Sequence, residues 1–173
     1  MKASTELHAA SEQLLYTTMK SPVGSLLLAA DERGLRFLSF VRDDRPARIE
    51  SSWRESDDAF METKRQLDAY FRRELRAFTI PLHLVGTEFQ RSVWNALLQI
   101  PYGSTTSYGE LAFKIGRPSA VRAVGGANHA NPIAIIVPCH RVIGSTGKLV
   151  GYGGGLYVKD RLLALERGEL FSF

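Results

Sequence analysis

The 173-residue chain reads as an α/β protein in two halves: an antiparallel sheet with one helix over residues 1–85, then a helical domain over residues 86–173 containing a helix-turn-helix. Three observations carry this reading. Short apolar or alternating runs at hairpin spacing occupy residues 14–41. An amphipathic pattern of helical period follows them. Two capping boxes, Thr87 with Gln90 and Ser107 with Glu110, then open helices in the second half.

The strands are LLYTTM (14–19), GSLLLAAD (24–31) and GLRFLSFV (34–41). Ser21-Pro22-Val23-Gly24 and Asp31-Glu32-Arg33-Gly34 separate them with the residue types that tight turns use, so a three-stranded antiparallel meander is expected. DDAFMETKRQLDAYFRRELRAF (57–78) spaces Phe60, Leu67, Tyr70, Phe71, Leu75 and Phe78 near the helical period, with Asp57 or Asp58 as N-cap and its charges on the wet face. TIPLHLVG leads to a domain boundary at Gly86. Beyond it, Phe89, Val93, Leu97 and Ile100 line one helix face, Trp94 reads as core, and Pro101-Tyr102-Gly103 stops the helix. SYGELAFKIG (107–116) packs Leu111, Ala112 and Ile115 and ends at Gly116, and AVRAVGGANHA (120–130) is a third helix. Asn131-Pro132 introduces an apolar strand that Pro138 ends, and LYVKDRLLALERG (156–168) is a helix closed by Gly168.

Composition bounds the function. The N-terminus has no apolar core with a cleavage site, and no run approaches the ~18 apolar residues that span a bilayer, so a cytoplasmic protein without a membrane partner is expected. One Cys excludes an internal disulfide, and His8, His83, His129 and His140 form no CxxC, HxxxH or HExxH spacing, so no metal is expected. Residues 1–85 hold 13 basic against 13 acidic side chains and residues 86–173 hold 9 against 5, which places the whole net charge of +4 in the second half. Either a mildly biased solvated surface or an anionic partner such as nucleic acid accounts for that asymmetry.

Two helices joined by a short Gly-containing turn match a helix-turn-helix, a pattern that many helical proteins also contain. The second of them is nearly bald. Ala120, Val121, Ala123, Gly125, Gly126 and Ala127 leave Arg122 as its one long basic side chain. Small residues permit close approach, which suits a DNA minor groove or a tightly packed neighbour equally.

Cys139 is the only cysteine and follows the apolar run in NPIAIIVPCHRVIG (131–144). Buried thiols are often inert core residues; a nucleophilic thiol needs its pKa of about 8.5 lowered. His140 and Arg141 adjoin it, but neighbours on an extended chain point to opposite faces, so activation by His140 requires a bend at Pro138-Cys139. GYGGG (151–155) lacks the Lys-Ser/Thr and helix entry of a phosphate-binding P-loop.

NPIAIIVPCHRVIG, SYGELA, RAVGGA and GYGGGLYVKDRLLALE together closely resemble the O6-alkylguanine-DNA alkyltransferase family, the methylated-DNA–protein-cysteine methyltransferases. The resemblance is dense over residues 87–168, with Pro138-Cys139-His140-Arg141 its most specific motif. Over the first half only the strand-strand-strand-helix order and SPVGSLLLAA are similar, which implies the family's ribonuclease-H-like N-terminal domain beside a winged helix-turn-helix domain. The resemblance implies that Cys139 accepts the alkyl group, that His140 deprotonates it through a bound water, and that Glu166 orients the imidazole. A carboxylate that favours imidazolium also favours thiolate beside it. Asn131 would tie the helix-turn-helix to the active-site turn, and Tyr108 would contact the flipped base and its phosphate and donate to the departing guanine. Arg122 would fill the gap the flipped nucleotide leaves, on a helix whose Ala120, Val121, Ala123 and Gly125 lie against DNA. Val142 and the Cys139 carbonyl would hold the guanine amine, Tyr152 would wall the pocket, and Gly153, where some relatives carry Ser, leaves only a backbone N–H for O6.

The implied activity is direct-reversal repair without a cofactor: an alkyl group, from O6-alkylguanine and with O4-alkylthymine left open, passes irreversibly from double-stranded DNA to Cys139, once per molecule. A monomer is expected, with clustering on DNA left open. A lesion sensor of the alkyltransferase-like kind would lack the acceptor cysteine, which is present here. A Cys-His hydrolase unrelated to DNA would turn over repeatedly and ignore salt.

Overall fold

In the computed structural model, which describes residues 13–44 and 46–169, β1 (Leu15–Ser21), β2 (Gly24–Asp31) and β3 (Gly34–Val41) form the antiparallel meander that the turn residues predict. A two-residue strand, β4 (Arg54–Glu55), adds in parallel to β1 and gives the order β3-β2-β1-β4. Leu26, Leu27, Leu28 and Ala29 are all buried, so the central strand is covered on both faces. His8 lies outside the described residues.

The helix predicted over residues 57–78 is shorter. One 3₁₀ turn at Asp58–Phe60 leads into α1 (Met61–Phe71), and Arg73, at φ 64°, breaks it. A cross-turn anchor holds the reversal: the Gln66 side chain accepts from the Thr79 N–H at 2.9 Å and donates to the Thr79 hydroxyl at 2.7 Å. Leu75 and Phe78 therefore reach the core from the segment after the helix. Neither Asp57 nor Asp58 caps it. Asp57 accepts instead from the Thr17 hydroxyl at 2.7 Å and pairs with Lys64, tying the start of α1 to β1.

The second half holds α2 (Glu88–Leu97), α3 (Tyr108–Lys114), α4 (Val121–His129) and α5 (Leu156–Arg167). A two-stranded parallel ribbon of β5 (Thr106–Ser107) and β6 (Val142–Ile143) joins them. Both predicted capping boxes form, each satisfying orphan N–H groups with a stabilisation of about 1 kcal/mol. Gly116 and Gly168 terminate α3 and α5 in the left-handed region, as expected. α4 packs against α2 and α3, and Trp94 is core, its indole N–H donating to the Ala127 carbonyl at 2.8 Å. One apolar core runs from Leu26 and Leu38 of the sheet through Tyr70 to Trp94, Leu111, Val124 and Leu162. Among the described residues, no helix is long and apolar enough to cross a membrane.

The edge of β3 seats the chain that carries the cysteine. Leu35 and Pro81–His83 exchange backbone hydrogen bonds at one end of the edge, where a Cβ on Gly34 would stand 2.5 Å from the Pro81 oxygen. At the other end, the Leu38 N–H donates to the Pro132 oxygen and the Ala134 N–H to the Leu38 oxygen, each at 2.9 Å. The apolar run after Pro132 is not the predicted strand. Only Ile133 bridges, to Leu38; Ile135 turns the chain at φ 69°, and the Val137 N–H returns to the Ile133 oxygen at 3.0 Å. Ile133, Ile135 and Val137 are fully buried, and a buried turn has the same apolar signature as a buried strand.

Candidate active site

The buried turn ends at Pro138, and Cys139–Arg141 form a single 3₁₀ turn. That is the bend the sequence demands if Cys139 and His140 are to cooperate. Cys139 lines an open cavity, whereas His140 is wholly buried. Asn131 holds both ends of the buried turn that leads to the cysteine. Its amide nitrogen donates to the Val137 carbonyl at 2.8 Å and to Cys139 Sγ at 3.0 Å, and its oxygen accepts from the Ile133 N–H at 3.0 Å.

Behind the cysteine, Glu166 is a buried acceptor hub rather than an exposed helix charge. Its Oε1 accepts from His140 Nε2 at 2.7 Å, the Tyr70 hydroxyl at 2.8 Å and Arg141 Nη2 at 2.9 Å. Oε2 accepts from Arg141 Nε at 2.9 Å and the Gly103 N–H at 3.1 Å. Burial alone would raise the Glu166 pKa, but the bonds and charges of His140 and Arg141 outweigh it and hold the carboxyl at about 2, below its ordinary 4.5. An ionised Oε1 requires a proton on Nε2. His140 Nδ1, which has no hydrogen-bond partner among the described residues, is then the basic nitrogen of a neutral imidazole.

The sign of this shift sets a pH window. A depressed carboxyl stabilises the fold above its unfolded pKa and loses that contribution as pH falls through the folded value. Between pH 4.5 and about 2, the urea midpoint of the protein should fall more steeply than that of Glu166→Gln. Parallel curves would show that Glu166 is not held ionised by folding.

Burial pushes the Cys139 thiol up and His140 down; Asn131 and Lys159 oppose the first shift and Glu166 the second. The resting pair is thus thiol and neutral imidazole, not the thiolate and imidazolium favoured by a Glu166 charge considered alone. Lys159 is fully buried, and its Nζ donates to the carbonyls of Val142 at 2.6 Å and Val150 at 2.9 Å. Burial lowers its pKa to about 8. Lys159 and Glu166 lie seven residues apart on α5 with Leu162 and Leu163 between them, so helical spacing puts all four on one buried face. That spacing is a signal from which Lys159 was readable.

The cavity, about 170 Å³, is lined by Leu38, Ser39 and Phe40 of β3, by Asn128 and Asn131, and by Cys139 and residues 151–154. Predicted residues Asn131, Cys139, Tyr152 and Gly153 therefore meet in it. Phe40 was not foreseen. Its ring packs on Tyr152 at 5.7 Å, and a Cβ on Gly154 would come within 2.7 Å of it, so the glycine loop closes on an aromatic of the N-terminal half. Tyr108 stands outside the lining, its hydroxyl donating to the Val150 carbonyl at 3.4 Å. The Val142 carbonyl meets Lys159, and that of Cys139 accepts from Asn128 Nδ2 at 3.4 Å.

Arg122 is exposed on α4 and does not line the cavity, and Val121 and Ala123 flank it on the surface, while Ala120 and Gly125 are half-buried. Internal packing does not demand small residues there: a Cβ on Gly126 would meet nothing within 4 Å, and one on Gly125 would make ordinary contact with the Tyr108 ring. A close neighbour inside the protein accounts for Ala127, which is buried beside Trp94, but not for Gly126, which faces open space.

Comparison with known proteins gives the relatives of this chain. The family profile described as 6-O-methylguanine DNA methyltransferase, DNA binding domain, matches residues 88–168, and the ribonuclease-like domain of the same family matches residues 14–84. Methylated-DNA–protein-cysteine methyltransferases of Methanosarcina acetivorans and Mycolicibacterium paratuberculosis are 54% and 56% identical over 153 residues, spanning 88% of this chain and 98% and 92% of theirs. Mycobacterium tuberculosis OGT, solved in complex with DNA, aligns with a TM-score of 0.84 at 51% identity over 89% of this chain and 93% of its own.

Proposed function

The chain belongs to the 6-O-methylguanine DNA methyltransferase family, and from that membership we propose that it repairs O6-alkylguanine in duplex DNA by moving the alkyl group onto Cys139. The observation that carries the residue assignment is the split across one 3₁₀ turn: the only sulfur nucleophile faces a cavity, and a neutral imidazole held by an ionised carboxylate lies buried behind it. The base must leave the stack because its O6 cannot reach that sulfur inside a duplex. Cys139 gives its proton, through a water, to His140 Nδ1; Sγ attacks the alkyl carbon, and the C–O6 bond breaks. Guanine leaves with its electron pair while Tyr108 donates a hydrogen bond to it; the anion takes a proton from water, and His140 returns its proton to that water. A thioether remains, so each molecule acts once and needs no cofactor.

In this reading residues 86–173 bind DNA and accept the alkyl group, and residues 1–85 supply the Phe40 wall and the edge that seats residues 132–134. α4 enters the minor groove with Arg122 in the gap of the flipped nucleotide. The protein works as a cytoplasmic monomer.

Intact mass after incubation with duplex DNA carrying O6-methylguanine tests the proposal. One methyl group per molecule, on the Cys139 peptide, is the expected result; sustained turnover would overturn it. A second variant tests the bald surface. Gly126→Leu should keep the fold, since the added Cβ has open space, yet weaken binding to unmodified duplex by about tenfold or more. Unchanged affinity would place α4 away from DNA.

A further inference from the structure

We propose that Tyr70, on α1 in the N-terminal half, is a positioning residue of the alkyl-transfer relay, which limits how strongly Glu166 stabilises a proton on His140. The inference rests on the reading of Cys139, His140 and Glu166 given above. Tyr70 is fully buried, with its ring against those of Phe71, Phe78 and Tyr102. Phe would pack there as well. What the phenol adds is one hydrogen bond, 2.8 Å long and spanning 96 residues, to the same Oε1 that receives His140 Nε2. A hydroxyl buried this deeply is retained at a net gain only if it is bonded, and the partner it has is the relay carboxylate.

The chemical effect follows from that shared oxygen. Each donor on Oε1 draws charge from it, so Oε1 attracts the His140 proton less and stabilises imidazolium less. Proton transfer from Cys139 to His140 becomes harder, and the thiol stays protonated until substrate arrives. For a thiol that is spent in one reaction, this restraint protects it from stray electrophiles. Tyr70 is one of several groups around the relay. Tyr102, the Gly103 N–H and Arg141 face Glu166; Arg141, Lys159 and the Tyr152 ring face His140; Asn131, Lys159, Tyr108 and Tyr152 face Cys139.

Because Cys139 is the only cysteine in the chain, its alkylation by iodoacetamide, followed by intact mass across pH, reads its thiolate fraction directly. Tyr70→Phe keeps the ring and removes the donor. The midpoint of its pH profile should move about one pH unit below that of the parent, with alkylation at pH 7 faster by up to about tenfold. Glu166→Gln should move the midpoint upward, and adding Tyr70→Phe to it should leave the profile where Glu166→Gln put it. A purely structural role would lower the melting temperature of Tyr70→Phe and leave its midpoint alone. If Glu166→Gln shifts the profile upward but Tyr70→Phe leaves it in place or raises it, the assignment of Tyr70 is wrong. If Glu166→Gln does not shift it, the relay itself is wrong.

Discussion

Cys139→Ser should abolish methyl transfer from duplex DNA, by at least about 10⁴-fold, while binding to the same duplex stays within a fewfold of the parent. The substitution is nearly isosteric. Asn131 Nδ2, which donates to Cys139 Sγ at 3.0 Å, can donate to a hydroxyl in its place, so the turn that Asn131 holds should survive. What disappears is an acidic, polarisable nucleophile. The base behind it is a neutral imidazole whose pKa burial pushes down, and such a base can take a proton from a thiol far more readily than from an alcohol. Single-turnover mass measurement gives the answer in one experiment. Transfer by the Ser variant within a hundredfold of the parent rate would mean that another residue accepts the alkyl group.

Arg122→Ala should slow repair of alkylguanine within a duplex by about ten- to a hundredfold and leave reaction with free O6-benzylguanine nearly unchanged. Arg122 is exposed and is not among the residues that line the cavity, and the surface of its helix has open space at Gly126. If it fills the gap vacated by the flipped nucleotide, it offsets part of the few kcal/mol of stacking lost on extrusion, and its loss raises the barrier only for substrates that must be extruded. A plain phosphate contact behaves differently. It would weaken binding to all duplexes and reduce the salt slope by about one. Equal losses on duplex and free base would assign Arg122 to the fold.

The secondary structure was legible wherever a local chemical rule decides it. Thr87 with Gln90 and Ser107 with Glu110 each satisfy their own helix N-termini, and the Ser21–Gly24 and Asp31–Gly34 segments close tight turns between apolar strands. The reading failed where distant contacts override local pattern. Residues 57–78 carry a continuous helical period, but the Gln66–Thr79 pair holds the chain in a reversal that starts at Arg73. Residues 133–137 are apolar because they are buried, and burial does not distinguish a turn from a strand.

The candidate site divides along the same line. By itself the sequence determined that Cys139 is the only thiol, that a bend must follow Pro138 if His140 is to act on it, and, through motif resemblance, that Glu166 belongs with them. The tertiary structure alone decided what surrounds those residues. Five donors from α1, the Gly103 loop and the 3₁₀ turn converge on Glu166, and Phe40 of β3 lines the same cavity as the cysteine. The physical reason is one of range. Caps, turns and helix faces depend on residues a few positions apart, whereas the pKa of a buried carboxylate depends on which donors the fold brings within 3 Å of it, and Tyr70 and Glu166 meet only because two halves of the chain share one core.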